Sequence, residues 1–114
     1  MSYQIIAISW SHHNAPIDFR DRLALPREDI PEYIKLLLDR KQIIELAVLC
    51  TCNRIEFYAL AENSAAVYRY IQDLYLNTLK RCILWHQSTP EFYSNLDAIQ
   101  HLCRVASGIE SMVL

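Results

Sequence analysis

The sequence predicts an α+β domain, a ferredoxin-like split βαβ sandwich in which an antiparallel sheet has helices packed on one face. Strand-like and helical segments follow one another in the order βαββα(β)α. The chain has 114 residues, the size of a single domain, and no linker, internal repeat or low-complexity segment divides it. Apolar residues make up 53% and charged residues 21%, so the chain is apolar enough to fold around a core.

Four segments rich in apolar, β-branched and aromatic residues predict strands, at residues 3–9, 43–50, 55–60 and 92–93. The first is predicted to be buried. The second is interrupted only by Glu45 and predicts a central strand.

Four further segments predict helices, at residues 17–25, 30–41, from 64 to about 82, and from 96 to about 106. Ser64 and Asn95 precede the last two and are predicted to cap them. Gly108 stands where a helix C-cap is expected.

The composition excludes several classes of protein. The single glycine rules out a glycine-rich loop for a nucleotide phosphate. A formal charge of −2 does not suggest a protein that binds nucleic acid mainly through a strong positive charge. The net charge does not exclude a local basic patch. No apolar run reaches membrane-spanning length and no secretory signal begins the chain. The sequence therefore predicts a cytoplasmic protein without a membrane segment, with its cysteines as thiols or ligands.

The first reactive cluster follows the second predicted strand. If that strand continued regularly, Cys50, Cys52 and Arg54 would share one face. An arginine beside a thiol stabilises the thiolate, and its planar fork suits a carboxylate. The alternative is that the two cysteines are small core residues and that Arg54 is a surface charge.

The second cluster, His101 and Cys103, lies on the last predicted helix. One alternative joins the two clusters into a structural zinc site with three cysteines and one histidine. The Cys-x-Cys spacing is shorter than structural zinc sites usually have. A simpler alternative is that His101 faces solvent and Cys103 belongs to the core.

Four motifs with recognisable patterns follow one another along the chain. Residues 51–56 read Thr-Cys-Asn-Arg-Ile-Glu, similar to the active-site motif Thr-Cys-Asn-Arg-x-Glu of the glutamyl-tRNA reductase family. Residues 11–16 resemble its Ser-His-Lys-Thr-Ala-Pro loop, residues 22–24 its next segment, and residues 101–114 its most distinctive block. His13, Asn14 and Cys50 depart from the usual Lys, Thr and Ser, so this chain has a second thiol near Cys52.

The resemblance implies that residues 1–114 are an N-terminal catalytic domain with a ferredoxin-like fold, without the NADPH-binding and dimerisation domains of the full-length enzyme. The family reduces glutamyl-tRNA(Glu) to glutamate-1-semialdehyde with NADPH, the first step of tetrapyrrole synthesis from glutamate. The implied partners are the tRNA, a second subunit of a full-length homodimer and the downstream glutamate-1-semialdehyde aminomutase. A domain that binds tRNA without catalysis is the other alternative.

The family's site residues transfer to matching positions of this sequence. The resemblance implies that Cys52 is the nucleophile that forms a thioester and that His101 is the active-site histidine. It further implies that the substrate glutamate is contacted by Thr51, Asn53, Arg54 and Ser111, with Ser9 as a weaker support.

Overall fold

Four antiparallel strands form a single sheet in the computed structural model, which describes residues 2–108. The strands are β1 (Gln4–Ser11), β2 (Ile43–Cys50), β3 (Arg54–Ala61) and β4 (Glu91–Ser94). Their order across the sheet is β2-β3-β1-β4, so the long strands β1 and β3 lie in the centre. This is the order of a split βαβ sandwich, and the predicted α+β fold is confirmed.

Four α-helices connect and cover the strands. They are α1 (Ile17–Leu23), α2 (Ile30–Leu38), α3 (Ser64–Asp73) and α4 (Leu96–Ala106). A π-helical turn continues α3 over Leu74–Thr78. None of the helices within residues 2–108 is long and apolar enough to cross a membrane.

The main core lies between one face of the sheet and the first three helices. Because side chains alternate along a strand, the even-numbered residues of β1 and the odd-numbered residues of β3 point to this face. The strand residues in this core are Ile6, Ile8, Trp10, Ile43, Ile55, Phe57, Ala59 and Ala61. The helices add Phe19, Leu23, Tyr33, Leu37, Val67 and Ile71.

The opposite face of the two central strands is polar, and α4 covers it. This face carries Ser9, Glu56 and Tyr58, and α4 brings Ala98 and His101 against it. The expectation of helices on one face therefore holds for α1, α2 and α3 but not for α4. The physical reason is that a buried polar face needs hydrogen-bonding partners, which His101 supplies.

Two further sequence predictions differ from the structure. Strand β2 is at the edge of the sheet rather than in its centre, and Ile44 on it is exposed. A long apolar run at an edge is possible here because only one of its faces packs on the core. The long helix ends at Asp73 and its π-helical extension at Thr78, short of Cys82.

The helix caps also differ in detail from the prediction. The N-cap of α3 is Asn63, whose Oδ1 accepts hydrogen bonds from the backbone of Ala65 and Ala66, and Ser64 is the first helical residue. Asn95 precedes α4, but its Oδ1 accepts from the backbone N–H of Ile5 and thereby ties α4 to β1. Gly108 follows α4 with a φ of 85°, the left-handed conformation expected at this position.

Candidate active site

A tight turn between β2 and β3 carries the predicted nucleophile. The backbone N–H of Thr51 donates to the carbonyl of Arg54 at 2.9 Å, and the N–H of Asn53 donates to Oγ1 of Thr51 at 3.2 Å. Cys52 stands between these residues and its side chain is exposed. The thiol therefore lies on a hydrogen-bonded turn between two paired strands, where a ligand can reach it from solvent.

The expectation that Cys50, Cys52 and Arg54 share one face is wrong. The chain turns at Cys52, so Cys50 and Arg54 belong to different strands and point to opposite faces of the sheet. Cys50 lies against the main core, and its Sγ is 3.5 Å from the backbone N of Leu25. Arg54 points to the polar face, where it is 4% exposed.

Glu56 is the centre of the polar face and is fully buried, with 0% exposure. Its Oε2 accepts hydrogen bonds from Ser9 Oγ at 2.6 Å and Arg54 Nη1 at 2.9 Å, and it lies 2.6 Å from His101 Nε2. Its Oε1 accepts from the hydroxyl of Tyr58 at 2.5 Å. We call these five residues the Glu56 network.

The network keeps Glu56 ionised although it is buried. Burial by itself opposes ionisation, but the hydrogen bonds from Ser9, Tyr58 and His101 outweigh it and hold the pKa of Glu56 below its usual value. Burial and the hydrogen bond to Glu56 raise the pKa of Tyr58, which therefore stays a donor. The carboxylate in turn compensates the buried guanidinium of Arg54.

The structure brings the predicted histidine into this network. His101 is 6% exposed, and its ring stacks on Tyr93 with centroids 4.2 Å apart and planes 14° apart. The alternative of a solvent-facing histidine on the last helix is therefore wrong. His101 and Arg54 contact the same oxygen of Glu56, so the two predicted clusters meet through this carboxylate.

A cavity of about 290 Å³ lies between the turn and α4. It is lined by Leu49, Thr51, Asn53, Arg54, Leu102, Val105 and Ala106. Three of the predicted substrate contacts are thus brought together around one space. Its mostly apolar walls suit the methylene groups of a small side chain, and Arg54 adds a positive charge. A larger cavity of about 430 Å³ lies at the other end of the sheet, beside Tyr3 and Glu62.

The sequence did not single out four residues that the structure places at the site, namely Glu56, Tyr58, Arg20 and Tyr93. Glu56 was part of the quoted motif, and a carboxylate between the apolar residues Ile55 and Phe57 of β3 was a signal for it. Arg20 donates from Nη1 to the carbonyl of Asn53 at 3.3 Å, and Tyr93 stacks on His101; local sequence offers no signal for either contact. Ser111 lies outside the described residues, so its role stays a prediction.

The zinc alternative finds no support in the part of the chain that the structure describes. There, no three residues of the types His, Cys, Asp and Glu are grouped so that they could hold a metal ion. Cys103 is exposed on α4 rather than in the core.

The fold and the site together define an α+β domain that presents an exposed thiol beside a buried arginine–carboxylate–histidine network. The family model described as "Glutamyl-tRNAGlu reductase, N-terminal domain" matches residues 8–114. The chain belongs to this family.

Individual relatives agree with the family assignment. Glutamyl-tRNA reductases of Cyanophora paradoxa and of Picosynechococcus sp. (strain ATCC 27264 / PCC 7002 / PR-6) are each 36% identical over 119 residues, which cover 96% of this chain and 26% of the relative. The solved structure of glutamyl-tRNA reductase from Methanopyrus kandleri matches with a TM-score of 0.64 and 19% identity, over 95% of this chain and 23% of that one, which shows the shared fold. The chain spans about a quarter of the length of these relatives.

Proposed function

We propose that this domain carries out the thioester-forming half of glutamyl-tRNA reduction, the first step of tetrapyrrole synthesis from glutamate. The observation that carries the proposal is the exposed thiol of Cys52 on a hydrogen-bonded turn, next to a cavity lined by Thr51, Asn53 and Arg54. These residues form the family motif, and the chain belongs to the family.

In the proposed reaction, the Cys52 thiolate attacks the carbonyl carbon of the ester that joins glutamate to its tRNA. A carbon–sulfur bond forms, the carbon–oxygen bond to the ribose breaks, and the ribose hydroxyl leaves with a proton. The products are a glutamyl thioester on Cys52 and free tRNA, with no change of oxidation state. Thr51 and Asn53 contact the bound glutamate, and Arg54 offers its carboxylate a guanidinium donor.

His101 is proposed as the proton carrier for the leaving hydroxyl. Its Nε2 is engaged by Glu56, so Nδ1 is the ring atom that would hold the transferred proton. Glu56 and Tyr93 fix the orientation of the ring, as a second layer of contacts does for a catalytic histidine.

NADPH, when bound, supplies the hydride for the reduction that follows. The described residues do not fit this cofactor: their one glycine, Gly108, ends α4, and a dinucleotide loop needs several glycines after a strand. We therefore assign NADPH binding to a different domain of the family. Homodimerisation, contact with the downstream aminomutase and a cytoplasmic location stay predictions.

The decisive experiment is incubation of the chain with glutamyl-tRNA, followed by intact-mass detection of a glutamyl adduct and peptide mapping. We expect the adduct on Cys52 and its loss in Cys52→Ser. Cys82→Ser is the matched control, because Cys82 is also exposed, and it should keep the adduct. Capture that survives in Cys52→Ser contradicts the assignment. Binding of the tRNA without any adduct favours the non-catalytic alternative.

A further inference from the structure

A second arginine lies against the Cys52 turn from the other side of the sheet. Arg20 is on α1, next to the core residue Phe19, and is 8% exposed. Its Nη1 donates to the carbonyl of Asn53, the residue after the nucleophile, at 3.3 Å. Arg20 and Arg54 therefore flank the turn from its two faces.

The charge of Arg20 is not compensated by the described part of the chain. Among residues 2–108 it forms no ion pair with a carboxylate, and the Asn53 carbonyl is its one hydrogen-bond partner. Its Nε is buried and has no hydrogen-bond partner. A guanidinium carries five N–H donors, so the described part of the chain uses only part of the donor capacity of Arg20.

The two arginines differ in this respect. Arg54 is equally buried, but Glu56 lies 2.9 Å from its Nη1 and balances its charge. A buried charge without a partner is strongly unfavourable, so a buried guanidinium with an unpartnered donor beside a reactive thiol is a candidate contact for a ligand. An anion that docks beside Cys52 would supply the missing partner of Arg20.

We propose that Arg20 is an anion-binding residue of the Cys52 site and receives an oxyanion of the bound substrate. The chemistry it recognises is a carboxylate or phosphate oxygen, because a guanidinium pairs with either through two parallel hydrogen bonds. In glutamyl-tRNA, the side chain of the glutamate offers a carboxylate, and the 3′ end of the tRNA offers phosphate oxygens. The identity of this substrate rests on the proposed function, whereas the anion site itself does not.

The test measures alkylation of Cys52 by iodoacetamide, followed residue by residue by peptide mapping. Glutarate or inorganic phosphate is added at constant ionic strength, with Cys82 and Cys103 as exposed reference thiols in the same molecule. We expect one of the anions to slow alkylation of Cys52 alone. Protection by glutarate identifies the carboxylate as the recognised group, and protection by phosphate identifies the phosphate.

Two variants connect the protection to Arg20. Arg20→Gln should lose the protection of Cys52 by the anion. Arg20→Lys should keep part of this protection, because the positive charge remains. Arg22→Gln makes the same change at an exposed position of α1 and should keep it in full. The proposal is overturned if neither anion protects the wild-type chain, a result that does not depend on how the variants fold. It is also overturned if folded Arg20→Gln is protected as well as wild type. Neither measurement uses glutamyl-tRNA. A negative result for the anion site is therefore distinguishable from a negative result for the proposed function.

Discussion

Replacing Glu56 with glutamine tests whether the Glu56 network stabilises the fold through its charge. Three groups, on Ser9, Arg54 and His101, converge on one carboxylate oxygen. Glutamine has nearly the same shape but is neutral and has only one acceptor oxygen. It cannot accept hydrogen bonds at both carboxylate oxygens, and it removes the negative charge that lies 2.9 Å from Nη1 of the buried Arg54.

The expected cost follows from this geometry. Removing one partner of a buried ion pair costs about 3–5 kcal/mol, because the attraction that offset the burial of the remaining charge is lost. Native domains have a total stability of about 5–15 kcal/mol, so the variant should be near the limit of folding. At roughly 4 °C per kcal/mol for a chain of this size, the melting temperature should fall by about 12–20 °C.

The assay is urea unfolding followed by tryptophan fluorescence, since Trp10 is buried in the core. Glu45→Gln is the matched control, because Glu45 is exposed on β2, and it should change the free energy of unfolding by less than about 0.5 kcal/mol. Adding Arg54→Met to Glu56→Gln should recover part of the loss, because the buried guanidinium that faced the carboxylate is then gone. A loss below about 1 kcal/mol in Glu56→Gln, or no recovery in the double variant, would refute the reasoning.

The other predictions concern acid stability and a helix cap. Because the pKa of Glu56 is lower in the folded chain than its usual value of 4.5, the unfolded chain takes up the proton first as pH falls. The stabilisation is therefore fully present above that value and is lost as pH drops below it; urea titrations between about pH 3 and pH 6 should show a shallower slope for Glu56→Gln. Asn63→Ala should cost about 1 kcal/mol in thermal unfolding, since Asn63 caps α3, and Ser64→Ala clearly less. Equal losses for Asn63→Ala and Ser64→Ala would contradict the observed cap.

Much of the fold followed from local patterns. The four strands and four helices correspond to apolar runs and 3.6-residue periods that short segments carry by themselves. The turn residues Thr51, Cys52, Asn53 and Arg54 are contiguous, so a motif was sufficient to select them. Cys52 was predicted to be the nucleophile, and its exposure on a fixed turn agrees with that role, which remains to be tested.

What the local patterns lacked was the side of the sheet to which each element packs. The apolar run of β2 predicted a central strand, yet the sheet order places it at the edge. The amphipathic pattern of α4 predicted a helix but did not indicate that it covers the polar face. Strand order and helix side depend on which surfaces are left to bury once the other elements have packed, and a short window does not contain that information.

The sequence by itself determined the class of fold, the family and the contiguous residues around Cys52, because each of these depends on residues close together in the chain. Only the tertiary structure decided that Cys50 and Arg54 point to opposite faces. It alone brought Ser9 and His101, which lie 47 and 45 residues from Glu56 in the chain, onto the same carboxylate oxygen. The reason is physical: a buried charge takes its partners from whichever segments the packed sheet and helices bring within hydrogen-bonding distance.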